Sequence, residues 1–279
     1  MNYLNNPSTA CTTPPQGLSL DTQLSHNDIL SLNTYDFLAY LGKTTINPGG
    51  VEGRKQLLNH LNIKPNTHLL EIGCGTGHTA CYIAKKYNCK VTAIDISEAM
   101  VDEARLTIKK AGLEDRVQCK TGDIMELEYE DNHFDYVMSQ AVLMFVDQKK
   151  SLSEIIRVLK PGGSYAGLEF AWHKQPSLDM ERETNQICGC VSLKFHLISD
   201  WKKSLTDSNF IHTKTVIKKL KMLSIIGFIQ DEGIINTVKI SLKLCLKTEN
   251  RIRMKIIWAH FSNHLDYIGY GLLTGEKPS

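Results

Sequence analysis

Long apolar runs are missing from this chain. No stretch reaches the roughly 18 uninterrupted apolar residues that a membrane-spanning helix needs. Residues 1–17 are polar and rich in Asn, Thr and Pro, without a basic start followed by an apolar core, so no secretory signal is expected. Charge of one sign is also scarce, and a formal net charge of +2 over 279 residues implies no polyanionic partner. Eight cysteines are too scattered to staple a chain of this size, and three of them, Cys74, Cys81 and Cys89, fall within one strand–helix unit; they read as reduced thiols. The one close pair, Cys188-Gly189-Cys190, has no second pair and no nearby histidine at ligand spacing, so no metal site is expected there or elsewhere. Internal repeats are lacking, and so are low-complexity tracts beyond the N-terminal tail. What remains is a soluble, cytoplasmic globular chain of ordinary composition, long enough for one sizeable α/β domain with an appendage.

The chain does have a regular alternation. Short apolar runs at residues 67–72, 90–94, 117–120, 134–138 and 163–170 read as strands bounded by turn residues. The segments between them, 79–87, 97–111 and 149–159, carry apolar residues at three- and four-residue spacing and read as helices, the last stopped by Lys160-Pro161-Gly162-Gly163. Helical patterns also occupy 24–41 and 51–61, separated by Pro48-Gly49-Gly50. Strands alternating with helices predict a doubly wound α/β domain with a parallel sheet, its ligand beyond the carboxyl ends of the strands. Residues 209–217 and 265–275 read as further strands, with a helical insertion between them. The expected division is a tail and lid helices at 1–49, the ligand-binding domain at 50–220, the insertion at 221–262 and a last strand at 263–279. Between Lys214 and Lys255 ten Lys or Arg face only Asp231, Glu232 and Glu249, so the basic charge sits in the C-terminal third.

The first strand ends in Glu71-Ile72-Gly73-Cys74-Gly75-Thr76-Gly77. Glycines there let the backbone turn sharply and approach a ligand at a helix N-terminus. A dinucleotide site would show G-x-G-x-x-G. Here the spacing is G-x-G-x-G, and the Glu71 carboxylate would repel a pyrophosphate but accept from the ammonium of an amino-acid cofactor. Asp95, closing the second strand, can accept from both hydroxyls of a ribose while Ile96 offers an apolar face to a base. Asp123, after the third strand, can accept from the exocyclic amine of adenine, with Ile124 against the ring.

Residues 69–80 with Asp95, Asp123, the run Phe134-Asp135-Tyr136-Val137-Met138-Ser139-Gln140 and Arg157-Val158-Leu159-Lys160-Pro161-Gly162-Gly163 resemble, in order, the motifs of class I S-adenosylmethionine-dependent methyltransferases. That resemblance implies a mostly parallel seven-stranded Rossmann-like sheet and S-adenosyl-L-methionine as cofactor. It implies Glu71 near the methionine ammonium, Gly73, Cys74, Gly75 and Gly77 along the cofactor, Asp95 and Ile96 at the ribose and base, and Asp123 and Ile124 at adenine. Ser139 and Gln140 would stand near the sulfonium.

A weaker similarity, carried by Tyr35-Asp36-Phe37, Asn47-Pro48-Gly49-Gly50-Val51-Glu52 and Gly269-Tyr270-Gly271, is to phosphoethanolamine N-methyltransferases. Those enzymes keep a histidine after the fourth strand, where this chain has Ala141-Val142-Leu143-Met144-Phe145, with Met144 read at its place. An apolar small-molecule or lipid-like acceptor suits Met144 and Phe145 better, with Tyr35 and Tyr40 as further pocket residues. A base is not always needed for methyl transfer; the candidates are His173, Glu169, Tyr35 and His26. Phosphobase or amine N-methylation is the alternative. A different class is a membrane-associated nucleoside-binding protein without turnover, suggested by the basic, apolar residues of 214–260. No Asn/Asp-Pro-Pro-aromatic motif follows the fourth strand, so nucleic acid is not expected as a partner.

Overall fold

The computed structural model describes residues 25–189, 193–220 and 225–279. Two short helices, α1 (His26–Ser31) and α2 (Thr34–Leu41), precede α3 (Gly50–Leu61). The alternation then runs β1 (His68–Ile72), α4 (His78–Tyr87), β2 (Lys90–Asp95), α5 (Glu98–Ala111), β3 (Val117–Thr121), β4 (Phe134–Gln140), α6 (Gln148–Val158) and β5 (Leu159–Trp172). A single 3-10 turn, Leu143–Phe145, stands between β4 and α6. Next come α7 (Leu178–Cys188), β6 (His196–Leu197), α8 (Ile198–Asp207) and β7 (Ile211–Lys219), then α9 (Ile225–Leu246), α10 (Thr248–Asn263) and β8 (Ile268–Glu276).

Local chemistry explains the helix starts. The Ser97 hydroxyl caps α5 by accepting from Met100 N–H, and the Asp147 carboxylate caps α6 by accepting from Lys150 N–H at 2.8 Å; such caps are worth about 1 kcal/mol each. One boundary differs from the sequence reading. The Lys160–Gly163 stop lies inside β5, because Leu159 pairs with Phe134 before the register shifts to Ser164 opposite Tyr136, leaving the Pro-Gly-Gly segment as an irregularity in the ladder.

Seven strands follow the order β3-β2-β1-β4-β5-β8-β7, and the two-residue β6 pairs with the end of β5. All ladders from β3 to β5 are parallel, and β8 runs antiparallel between β5 and β7. One face of the sheet buries Leu57, Ile83, Ala84 and Ile108 from α3, α4 and α5. The other buries Leu152, Ile155, Trp201 and Leu205 from α6 and α8. A third cluster gathers Phe37, Met144, Phe170, Ile187, Ile240, Ile257 and Phe261, so that α1, α2, α7 and the inserted pair α9–α10 cover the carboxyl end of β5. Helix α9 breaks at Gly233, whose φ of 71° and ψ of 168° are not helical. Among the described residues no helix is long and apolar enough to cross a membrane.

Candidate functional site

In the sheet β1 lies between β2 and β4, and Ile72 is level with Ile94 on one side and Ser139 on the other. The chain leaves β1 toward one edge and later returns to build the other, which makes this the crevice where doubly wound folds bind ligands. Gly73 and Cys74 both donate N–H to the Ile94 carbonyl oxygen, folding the turn back over β2. The three glycines differ in their surroundings. A Cβ on Gly73 would stand 2.4 Å from Val142 Cγ2, and one on Gly77 would stand 3.0 Å from the Ala104 Cβ, whereas Gly75 opens onto free space. Gly77 thus serves the packing of α4 on α5. The Cys74 side chain is buried in the core, 3.7 Å from the Cys119 sulfur, so only its backbone borders the crevice. Cys74, Cys81, Cys89, Cys119, Cys188 and Cys245 are in no disulfide, and Cys190 lies outside the described residues.

Asp95 fixes the turn from the neighbouring strand. Its two oxygens accept from Gly75 N–H at 2.9 Å and Ser97 N–H at 3.0 Å, and burial raises its carboxyl above the ordinary range. Each oxygen retains a lone pair for a ligand hydroxyl. Beside it Ile96 is exposed, as a surface for a flat base requires. Asp123 accepts from Met125 N–H at 2.8 Å and is half-buried at the end of β3. Ile124, read as packing against the adenine ring, is 4% exposed and belongs to the core cluster that holds Ile72, Ile94, Leu127 and Phe134.

Glu71 is 2% exposed, and its Oε2 has no hydrogen-bond partner. Burial pushes its carboxyl up to about 8, with the Arg54 guanidinium the chief opposing influence. Arg54 comes from α3, which the motifs do not include. It donates to the Thr79 hydroxyl at 3.3 Å, its Nε is buried without a partner, and it lies over the Tyr82 ring. A buried acceptor and a half-buried cation with unused hydrogen-bonding capacity form a site for a group that carries both charges. Arg54 could have been suspected from sequence only through its helix: α3 follows the glycine turn 49–50 and packs beside β5.

At the end of β4 the side chains alternate. Gln140 points outward and accepts from the Asn47 amide at 3.2 Å. Ser139, read as close to the reacting centre, is fully buried on the opposite side with its hydroxyl 2.9 Å from that of Tyr165. Glu169 is likewise fully buried. Its Oε1 accepts from Val142 and Leu143 N–H, both at 3.1 Å, and burial raises its carboxyl to about 7. It holds the 3-10 turn in place through Oε1, while its Oε2, like that of Glu71, is buried without a hydrogen-bond partner.

That turn carries Met144, 1% exposed within the third cluster, and Phe145, which meets the Tyr35 ring edge-on at 5.5 Å. Phe145, rather than Met144, therefore faces Tyr35. A small cavity beside them is lined by Thr34, Tyr35, Leu38, Phe170, Cys188, Ile257 and Phe261, with no charged side chain. Tyr40 stands apart from it: Lys243 lies over the Tyr40 ring and donates to its carbonyl. His173 sits beyond β5 against Gly269 of β8, and burial lowers its pKa. It thus continues the strand next to β4, past Leu168, the residue level with Gln140 at the end of β4. The His26 side chain lies outside the described residues.

Comparison with known proteins agrees with this geometry. The family model described as a methyltransferase domain matches residues 70–167. An uncharacterized protein of Haemophilus influenzae is 30% identical over 82% of this chain and 92% of its own length. The uncharacterized methyltransferase YodH of Bacillus subtilis is 30% identical over 65% of this chain and 76% of its own. Among solved structures, Haemonchus contortus phosphoethanolamine N-methyltransferase 2 in complex with S-adenosyl-L-methionine superposes with a TM-score of 0.72 at 21% identity. It covers 96% of this chain, which spans 62% of the worm enzyme. These relatives give no support to a role without turnover, and with the glycine turn, Glu71 and Asp95 in place the chain belongs to the class I S-adenosylmethionine-dependent methyltransferases.

Proposed function

We propose that this enzyme transfers a methyl group to an apolar small-molecule or lipid-like acceptor. The observation that carries the reading is the apolar cluster of Tyr35, Leu38, Phe170, Ile257 and Phe261, which closes on a void of only water size, so that an acceptor would part these side chains, and which offers apolar contact and no cation to receive a phosphate. S-adenosylmethionine fits the residues of the crevice: Glu71 Oε2 is an orphaned acceptor for its ammonium, and Arg54 an underused donor for its carboxylate. Asp95 would take the ribose hydroxyls, Ile96 the base and Asp123 the adenine amine. When bound, the cofactor supplies an electrophilic methyl group on sulfur.

The chain's own part is positioning. Gln140 and Asn47 border the crevice beside the turn that Glu169 holds. The lid formed by α1, α2, α9 and α10 would exclude water, and orientation of two bound reactants is worth roughly 7–11 kcal/mol. Of the described candidate bases Glu169 is enclosed and His173 lies past the end of β5, while Tyr35 lines the apolar cavity. The acceptor is therefore either one already nucleophilic at neutral pH, such as an electron-rich double bond, a thiolate or an unprotonated amine, or one whose proton Tyr35 takes. The exposed aliphatic residues of α9, interspersed with lysines, support peripheral docking on a lipid surface from which such an acceptor is drawn.

Labelled cofactor incubated with lipid extracts, small phenols, thiols and phosphobases, and read by mass spectrometry, tests the proposal. Label in an apolar product is the expected result. Label only in phosphobases would instead establish the phosphoethanolamine-type reaction.

A further inference from the structure

A polar cluster between α7 and α10 takes no part in methyl transfer. His260 lies in the last turn of α10 and is 4% exposed, wedged against α7. Thr184 on α7 donates its hydroxyl proton to the Met180 carbonyl oxygen at 2.7 Å. The same hydroxyl oxygen lies 2.9 Å from His260 Nε2. A hydroxyl has one proton, so at this second contact Thr184 accepts and His260 Nε2 carries the hydrogen. In the neutral ring Nδ1 then presents a bare lone pair. That nitrogen is buried without a hydrogen-bond partner, and what faces it is the Glu183 carboxylate, with Oε1 at 3.5 Å. His264, at the end of α10, adds a second imidazole whose centroid is 4.8 Å from that of His260.

Ligand atoms of Glu183, His260 and His264 lie within 4.8 Å of one another. A lone pair and a carboxylate brought together beside a buried ring repel unless a cation stands between them. A proton on His260 would satisfy two of the three groups, whereas a metal ion satisfies all three.

We propose that Glu183, His260 and His264 bind a divalent transition-metal ion of the zinc type. Two imidazoles and one carboxylate favour Zn²⁺, Co²⁺ or Ni²⁺ over Mg²⁺ or Ca²⁺, and leave a fourth position for water. The Thr184 contact is the outer hydrogen bond that fixes a ligating histidine by its other nitrogen. Glu183 is 55% exposed, so an ion can enter from solvent and the carboxylate can swing to meet it. The site's effect is structural: Ile257 and Phe261 flank His260 on α10 and line the apolar cavity together with Cys188 of α7, so the ion braces one wall of that cavity.

Untagged protein, stripped with chelator and dialysed, is titrated with Co²⁺ and Zn²⁺, read by visible absorption and calorimetry. One Co²⁺ per chain with a tetrahedral-type visible spectrum is expected, displaced by Zn²⁺. His264→Ala and Glu183→Gln, on side chains not fully buried, should each weaken binding at least about 10-fold while far-UV circular dichroism stays unchanged. Zn²⁺ should raise the melting midpoint of the unmodified chain and not that of the variants. Absence of saturable binding, or binding undiminished in both variants, overturns the site and leaves a proton-bridged Glu183–His260 pair. Because binding is read without turnover, this result is independent of the acceptor's identity.

Discussion

At the scale of single residues the crevice holds carboxyls that are costly to ionise. Glu71 and Glu169 titrate near 4.5 when exposed, but burial raises them to about 8 and about 7. Between those values the folded protein keeps protons that the unfolded chain has released. Their contribution to stability is therefore full below about pH 4.5, falls as pH rises through the window, and levels off above about pH 8. Each group contributes a slope of at most about 1.4 kcal/mol per pH unit. Urea unfolding of the cofactor-free protein across this range should show that decline, and Glu71→Gln should flatten it; an unchanged slope in the variant would remove Glu71 as its source. Asp95→Ala should weaken S-adenosylhomocysteine binding roughly 10- to 100-fold by calorimetry, since a charged acceptor of several hydrogen bonds is lost. Asp95 was legible in the sequence because the end of a strand fixes where its carboxylate points. Ser139 was not, because alternation along β4 sends adjacent side chains to opposite sides and one residue decides which of the pair meets the ligand. Arg54 reaches Glu71 only through space, from a helix whose pattern carries no sign of ligand chemistry.

Among elements, the clearest coupling joins the insertion to the loop before α3. Helix α3 begins at Gly50 without a side-chain cap of its own. The missing cap comes from Asp231 of α9, which accepts from Val51 N–H at 2.8 Å. Its neighbour Glu232 accepts from Thr44 and Thr45 N–H, the Thr44 hydroxyl and the Asn236 amide. Lys43 bridges to both acids at 3.2 and 3.3 Å with its side chain fully buried. Glu232→Ala leaves Lys43 with Asp231 but takes the acceptor from the Thr44 and Thr45 N–H groups, so it should cost about 1–3 kcal/mol in urea unfolding. It should also speed proteolytic cutting within 225–246, and an unaltered cutting rate would mean the latch is not what holds the lid. The same helix shows where sequence reading runs out. Alternating periods of two and about 3.6 made β1 to β5 and their helices legible. Helices α7 and α8 went unseen because each buries few apolar positions, Ile187 and Cys188 in one and Trp201 and Leu205 in the other. The Gly233 break in α9 left no mark beyond a glycine within a polar group of residues.

For the whole molecule, the outer side of the insertion is an exposed surface that is both apolar and basic. Ile235, Val238, Leu242 and Leu246 recur at helical spacing along α9 and are 75%, 52%, 59% and 80% exposed. Ile256 and Trp258 of α10 are exposed as well, and so are Lys239, Lys247, Arg251 and Lys255. A solvated face would place the charges outward and the aliphatics inward; here both point to solvent, the arrangement of a helix that rests in a lipid interface with lysines at the headgroups. The inner side of the same pair, through Ile240, Ile257 and Phe261, belongs to the apolar cluster around the cavity. A protein resting on this face would therefore hold the apolar cluster proposed for the acceptor close to the bilayer. Sedimentation with vesicles containing anionic phospholipid should carry the protein down, and rising salt should release it as the lysines are screened. Leu242→Glu combined with Leu246→Glu should abolish pelleting while leaving the melting midpoint nearly unchanged, since neither side chain is buried. Failure of the unmodified protein to pellet at low salt would sink lipid docking. A concentration-dependent dimer that the same double variant converts to monomer would assign the face to a second copy of the chain.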